Sequence, residues 1–329
     1  MEEVKFIDLF CGIGGFRQAM EEACFENNLF SHCVFSSDID IACQDSYEKN
    51  FGERPFGDIT KINEKDIPDH DVLFAGFPCQ PFSIIGQRQG FNDIRGTLFF
   101  DIARILKHKR PTAFVLENVK QLVGHDKGKT LKTILKTLQE LGYYVNYAVL
   151  NALDYGLPQK RERVIIVGHQ DPVFFSFPAP QKPYKPLTAI LEKEVEKKHY
   201  ASTYITEKRK AKHKSDYKLS IWHENKAGNI CSYPFSCALR AGASYNYLLV
   251  NGERRLTPRE MFRLQGFPDS YKIIGNDSQA RKQAGNAVPV NIVKAVILKL
   301  LPFVASTMDS TMILRESDIK YATRKIPQT

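Results

Sequence analysis

The 329-residue chain lacks several patterns that would define a protein class at once. Its seven cysteines form no CxxC pair and no His/Cys pattern with zinc spacing, which argues against a disulfide framework, a metal site and a dithiol oxidoreductase. A membrane span is not expected, because the first apolar run contains Asp8 and the C-terminal apolar stretch is interrupted by Asn291, Lys294, Lys299 and Pro302. We therefore expect a reducing, cytoplasmic protein without membrane or metal.

Composition adds a general class and a kind of partner. Hydrophobic residues make up 43% and charged residues 25%, which is the balance of a globular protein, and the length suits two lobes better than one. The net charge of +9 favours a polyanionic partner such as nucleic acid over an acidic small molecule.

Short apolar runs alternate with helical patterns through the first half of the chain. The runs are 4–9, 33–35, 71–75, 113–116, 145–150 and 164–168, and the helical patterns between them include 41–50, 98–107 and 131–141. This βαβ rhythm predicts a doubly wound α/β sheet with helices on both faces.

The rhythm breaks after Gly168 into a proline-rich stretch and then a basic one with interleaved aromatic residues. Such a surface suits phosphates and bases together, although a solvated basic face over a small aromatic core is an equal alternative. An amphipathic pattern from Val293 to Leu301 is typical of a helix that packs back on the large sheet. We therefore predict domains at 1–185 and 186–274, with a returning segment at 275–329.

A glycine loop follows the first strand and contains Gly12, Gly14 and Gly15. The dinucleotide fingerprint needs a third glycine where Arg17 stands, which argues against NAD or FAD. Asp38 ends the second strand, where a carboxylate can take a ribose diol, and Asp58 with Ile59 can take an adenine. A site that can bind a ribose but lacks the glycines for a pyrophosphate indicates S-adenosylmethionine as the ligand. Each of these features alone is also typical of a tight turn or a helix cap.

A thiol and a carboxylate follow two further apolar runs. Cys79 stands in the segment Gly76–Ser83, and Glu117 ends the next run. If the two strands pair in parallel, both groups lie at one edge of the sheet, where a cysteine can act as a nucleophile.

Six ordered motifs together resemble those of the C5-cytosine DNA methyltransferases, especially short bacterial modification enzymes of the HhaI type. They are 6–10 (FIDLF), 76–80 (GFPCQ), 117–119 (ENV), 159–163 (QKRER), 255–260 (RLTPRE) and 285–288 (GNAV). The resemblance covers nearly the whole chain. It implies a mixed, Rossmann-like methyltransferase sheet with a smaller, irregular, β-rich target-recognition domain.

The resemblance also implies roles for individual residues. Cys79 would attack C6 of cytosine, Glu117 would bind the N3 edge, and Arg163 would contact O2, with Arg161 as a second candidate. The S-adenosylmethionine pocket would comprise Phe10, Gly12, Ile13, Gly14, Gly15, Asp38, Ile39, Asp58, Ile59, Pro78, Leu98 and Asn286. DNA contacts would come from Ser83, Gln87, Arg88, Arg95, Leu239 and Arg240.

The implied activity is methylation of C5 of a cytosine in double-stranded DNA by a monomer, in a restriction-modification system. The chain departs from the pattern at Ile39, where the HhaI type has an aromatic residue, and at Ala238, where threonine is usual. Two alternatives stay open: a tRNA cytosine methyltransferase, which should lack a sizeable recognition lobe, and a catalytically silent DNA-binding protein on the same scaffold.

Overall fold

The inner strands of a central sheet are buried at nearly every position, because their sequences are apolar on both faces. The computed structural model describes residues 3–78, 98–180 and 183–304. In strand β1 (Glu3–Leu9), Phe6 packs in one hydrophobic cluster and Ile7 in another. Since successive side chains of a strand point to opposite faces, such a strand must be covered on both sides.

Helices and strands alternate up to residue 151, and two further strands follow. The elements after β1 are α1 (Gly15–Glu26), β2 (Phe30–Ser37), α2 (Ile41–Phe51), β3 (Val72–Gly76), α3 (Leu98–Lys109), β4 (Ala113–Val119), α4 (Lys129–Glu140), β5 (Tyr144–Asn151), β6 (Gln159–Lys160) and β7 (Glu162–His169). Buried residues of α1 lie in the cluster with Phe6, whereas those of α3 and α4 lie in the cluster with Ile7. The sheet is therefore doubly wound, as the sequence predicted.

The main sheet has the strand order β2-β1-β3-β4-β7-β5. The first four strands are parallel, and β7 runs antiparallel to both of its neighbours, β4 and β5. The predicted mixed sheet is confirmed. Because β7 runs in the opposite direction, its first residues lie at the same edge as the last residues of β3 and β4. This edge holds the site described below.

The following part of the chain is irregular and β-rich. It contains α5 (Thr203–Lys212), β8 (Ile221–Glu224), β9 (Ile230–Tyr233), β10 (Ser236–Cys237), β11 (Leu248–Val250) and α6 (Pro258–Leu264). Strands β11, β8 and β9 form a small antiparallel sheet, while β10 pairs in parallel with β6 of the first part. Helix α5 was not predicted, because it is so polar that Arg209 is its one buried residue.

Two helices return the chain to the main sheet. Helix α7 (Asp277–Asn286) is followed by α8 (residues 290–304). Lys294 on α8 pairs with Glu22 and Glu26 on α1, and Phe303 lies against His169 at the end of β7. Taken as one helix, Asp277–Val304 has the length and hydropathy of a membrane span, but 56% of its apolar part is buried. Within the described residues, α8 thus contacts α1 and the end of β7.

Candidate active site

A cavity of about 1460 Å³ opens where the parallel strands of the main sheet end. Ligands of open α/β sheets commonly bind at this edge. Most of the predicted cofactor residues line it: Phe10, Gly12, Ile13, Gly15, Asp38, Ile39, Asp58, Ile59, Pro78, Leu98 and Asn286. Glu117, Arg161 and Arg163 line the same cavity. The structure thus brings together two groups of residues that are distant in sequence.

The glycine loop between β1 and α1 divides its glycines between two surroundings. Gly12 has a φ of +54°, and a Cβ there would meet nothing within 4 Å, so its backbone is open to a ligand. Gly14 is different, because a Cβ there would lie 2.3 Å from the ring of Phe51. Gly14 is the N-cap of α1 and does not line the cavity. The pattern of glycines predicted the loop but not which glycine faces inward.

Asp38 is fixed by backbone groups on both of its oxygens. The N–H of Gly12 donates to Oδ2 and the N–H of Asp40 donates to Oδ1, each at 2.8 Å. Burial raises the pKa of Asp38, and the two N–H groups oppose this shift. Asp40 caps α2 and pairs with Lys282 of α7 at 2.7 Å. Asp38 therefore presents a rigid carboxyl group to the cavity.

A second carboxyl group lies at the beginning of a short 3-10 helix. Asp58 accepts hydrogen bonds from the backbone N–H and the hydroxyl of Thr60, and these bonds lower its pKa. The neighbouring Ile59 is buried, whereas Ile39 is 73% exposed. Acidic and basic residues that the sequence analysis did not assign, Glu64, Asp101 and Arg104, also line this part of the cavity and form ion pairs with one another.

Glu117 and Arg163 form a buried ion pair at the edge of the main sheet. Arg163 Nε lies 2.7 Å from Glu117 Oε1, and both side chains are about 90% buried. Burial raises the pKa of Glu117, while the charges of Arg163 and Arg161 oppose the shift. Val119 on β4 is opposite Arg163 on the antiparallel β7. Because Glu117 is two residues before Val119, it lies on the same face of the sheet, diagonally across from Arg163.

The end of β3 lies directly beside this pair. Gly76 is in parallel register with Glu117, as the sequence predicted. Asn118 Nδ2 donates to the carbonyl of Phe77 at 2.8 Å and joins the ends of the two strands. Pro78 lines the cavity, and Cys79 follows it in the chain but lies outside the described residues. The role of Asn118 was not predicted, although the residue stands in the motif at 117–119.

Arg161 is fully buried and holds three segments together. Its Nη1 donates to the carbonyl of Leu239 at 2.8 Å, and its Nη2 donates to those of Gly285 and Ala287 at 2.9 and 2.8 Å. Burial and the charge of Arg163 lower the pKa of Arg161 to about 9. Since both terminal nitrogens are occupied by main-chain carbonyls, Arg163 is better placed than Arg161 to meet a substrate.

The predicted DNA contacts are less completely described. Ser83, Gln87, Arg88 and Arg95 lie outside the described residues. Leu239 is 3% exposed, and its N–H and carbonyl bind Gln159 and Arg161. Arg240 is exposed. Within the described ranges, no group of three or more His, Cys, Asp or Glu side chains is arranged to hold a metal ion.

Comparisons with known proteins agree over most of the chain. A profile of C-5 cytosine-specific DNA methylases matches residues 4–301. The Type II methyltransferase M.NgoBI of Neisseria gonorrhoeae is 56% identical over 294 residues, which cover 88% of this chain and 91% of the relative. M.HaeII of Haemophilus aegyptius is 54% identical over 299 residues, covering 90% and 92%. M.HhaI of Haemophilus parahaemolyticus is 41% identical over 313 residues, covering 89% and 93%.

Solved structures share the fold at much lower identity. A Spodoptera frugiperda DNMT2 variant superposes with a TM-score of 0.71 at 20% identity and covers 92% of this chain and 99% of its own. A putative DNA modification methyltransferase of an Escherichia coli prophage gives 0.69 at 18% identity, with the same coverage.

Proposed function

Because the chain belongs to the C-5 cytosine-specific DNA methylase family, we propose that it methylates C5 of one cytosine in a specific double-stranded DNA sequence. The chain is a DNA (cytosine-5-)-methyltransferase. The proposal adds the donor, S-adenosylmethionine, and a covalent route through Cys79 on a base rotated out of the duplex. The observation that carries it is the buried Glu117–Arg163 pair, which shares one cavity with Asp38 and with the strand end that leads to Cys79.

The residues around the glycine loop fit S-adenosylmethionine. Each oxygen of Asp38 accepts one backbone N–H and keeps acceptor capacity for the ribose hydroxyl groups. Asp58 would hold the adenine amino group, with Ile39 and Ile59 beside the ring. Phe10, Gly12, Ile13, Gly15, Pro78, Leu98 and Asn286 would enclose the rest. When bound, this donor supplies an electrophilic methyl group.

Cytosine C5 is too weak a nucleophile to take that methyl group without activation. The thiolate of Cys79 would add to C6, which pushes electron density to C5 and N3. Glu117 would donate a proton or hydrogen bond to N3 and so stabilise the charge that develops there. After C5 is methylated, a water molecule would take up the C5 proton, and the electrons of that C–H bond would form the C5=C6 double bond again. Cys79 would leave as the thiolate with the electron pair of the C–S bond, and a proton donated to N3 would return to Glu117.

The environment of Glu117 suits this task. Burial raises its pKa, which keeps the protonated form accessible, and Arg163 holds its Oε1. Gly76 lies on the side of Oε2, where a Cβ would be in ordinary contact with that oxygen at 3.7 Å. Because stacked bases shield both faces of a cytosine ring, the base must leave the duplex to reach this pocket.

Further proposals concern the domain boundaries, the oligomeric state and the cellular role of the protein. We assign residues 1–185 to catalysis and cofactor binding, 186–274 to target recognition, and 275–329 to a segment that returns to the catalytic domain. The relatives are Type II methyltransferases, which supports a modification enzyme of a restriction-modification system, and we propose that it acts as a cytoplasmic monomer.

Bisulfite sequencing of DNA from cells that express the chain tests the activity and reveals the target. Purified Cys79→Ser protein should lose transfer of tritiated methyl groups to DNA while it still binds the cofactor. Cys231→Ser is the matched control, since Cys231 does not line the cavity. A duplex with 5-fluorocytosine at the target should trap wild-type protein covalently. In the normal reaction C5 loses a proton before Cys79 is released, but a fluorine atom at C5 cannot leave in this way, so the bond between Cys79 and C6 should persist. Near wild-type transfer by Cys79→Ser would refute the covalent route.

A further inference from the structure

Arg240 presents a prearranged guanidinium group at the surface of the recognition segment. Its Cζ lies 4.9 Å from the ring centroid of Tyr247, and its Nη2 lies 3.5 Å from His223 Nε2. The backbone N–H of Arg240 donates to the Tyr247 hydroxyl at 2.9 Å, so the same tyrosine holds both the main chain and the side chain. Cation–π contact and a restricted main chain lower the entropy that this side chain loses on binding.

The other arginines of residues 186–274 are already occupied. Within that described segment, each of them donates to a carboxylate or a main-chain carbonyl: Arg209, Arg254, Arg255, Arg259 and Arg263. The only hydrogen-bond neighbour of the Arg240 side chain in the described residues is the ring of His223. Arg240 therefore keeps most of its donors available for a partner.

The main chain next to Arg240 is fixed to the catalytic cavity. The N–H of Leu239 donates to Gln159 Oε1, and its carbonyl accepts from Arg161, so the residue before Arg240 is bound on both sides to the segment that leads into β7. Ala241 packs so closely on Gly285 that a Cβ at position 285 would lie 2.4 Å from its nitrogen. Gly285 lines the cavity. Arg240 thus lies at its rim, at a constrained distance from the Glu117–Arg163 pair.

We propose that Arg240 reads a guanine in the recognised DNA sequence, in the base pair next to the target cytosine. This inference rests on the proposed function. An arginine fork matches the O6 and N7 acceptors that guanine presents in the major groove, and this is the commonest specific contact between proteins and bases. The fixed connection from Leu239 to Arg161 places the contact beside the pocket that receives the rotated base.

The first test changes the DNA and leaves the protein intact. Once bisulfite sequencing has identified the site, each guanine is replaced singly by 7-deazaguanine, which lacks the N7 acceptor. For wild-type protein, the guanine next to the target should be the sensitive one, with binding weakened about tenfold. Arg240→Gln should lose most of this difference between normal and modified duplex. Lys132→Gln, an exposed change on α4, is the control and should keep the difference.

Arg240→Gln retains the backbone N–H that binds Tyr247, and its thermal unfolding and its cofactor affinity without DNA should equal those of wild type. A contact to a phosphate would instead weaken binding to all duplexes equally and reduce the salt slope by about one unit. That result would overturn the inference, as would a wild-type protein insensitive to every 7-deazaguanine. Either of these results would leave the proposed function standing. If bisulfite sequencing found no methylated cytosine, the proposed function and this inference would both be wrong.

Discussion

Replacing Arg161 by methionine should destabilise the protein strongly, although the residue is not expected to touch the substrate. The change removes the donors of three main-chain carbonyls, those of Leu239, Gly285 and Ala287. Each buried carbonyl left without a donor costs about 1–3 kcal/mol, a sum of about 3–9 kcal/mol. The net cost is smaller than this sum, because the substitution also removes the cost of burying a charged guanidinium. That cost is visible in the pKa of Arg161, which burial lowers to about 9. We expect a net loss of about 3–5 kcal/mol.

Urea unfolding can measure this loss in two parts of the molecule. The single tryptophan, Trp222, lies on β8 and reports the recognition segment, while far-ultraviolet circular dichroism reports the whole chain. Arg161→Lys should lose less than Arg161→Met, because it keeps the charge but not the planar fork. Arg54→Met, which removes two exposed ion pairs, those with Asp45 and Glu48, is the control and should leave the urea midpoint nearly unchanged. A loss of under about 1 kcal/mol in Arg161→Met would refute the reasoning.

Three further predictions concern single sites. Burial lowers the pKa of His70 to about 4 in the folded protein. As the pH falls below about 6.5, this histidine is protonated in the unfolded chain but stays neutral in the folded one, so acid favours unfolding. Between pH 7 and pH 4, the free energy of unfolding of wild type should therefore fall by up to about 3 kcal/mol more than that of His70→Gln. Urea midpoints at pH 7 and pH 4.5 check this, and parallel pH profiles would contradict it. Gly285→Ala should cost about 1–3 kcal/mol in urea unfolding through its clash with the main chain of Ala241, whereas Gly124→Ala, which meets nothing within 4 Å, should not. Asp38→Ala should weaken S-adenosylmethionine binding at least tenfold in calorimetry; unchanged affinity would remove Asp38 from the cofactor site.

Much of the main sheet could be predicted because its strands are apolar on both faces and its helices are periodic. The runs at 71–75 and 113–116 became β3 and β4, and the parallel register that places Gly76 beside Glu117 follows from ordinary βαβ geometry. The reversed direction of β7 was not readable from its own sequence, because an apolar run looks the same in either direction. The family resemblance implied a mixed sheet but did not say which strand is reversed.

Long-range partners of polar groups were the least predictable part of the site. Arg161 resembled Arg163 in sequence, yet its partners are carbonyls 78 to 126 residues away. A carbonyl leaves no trace in the residue type, so no sequence pattern could show this network. The misplacement of Gly14 has a similar cause, since the ring of Phe51 that covers it belongs to a different helix.

The two arginines at the beginning of β7 create an ambiguity of register that the protein must suppress. Arg161 precedes β7 directly and Arg163 lies two residues later within it, and both side chains line the same cavity. A slip of two positions would exchange one arginine for the other while every apolar side chain kept its correct face, so hydrophobic alternation alone gives no protection against it. The three carbonyls around Arg161 supply that protection, because only one alignment satisfies them. Weakening the hydrogen bonds from Arg161 to these carbonyls should produce molecules in which β7 is out of register, and such molecules would be folded but inactive.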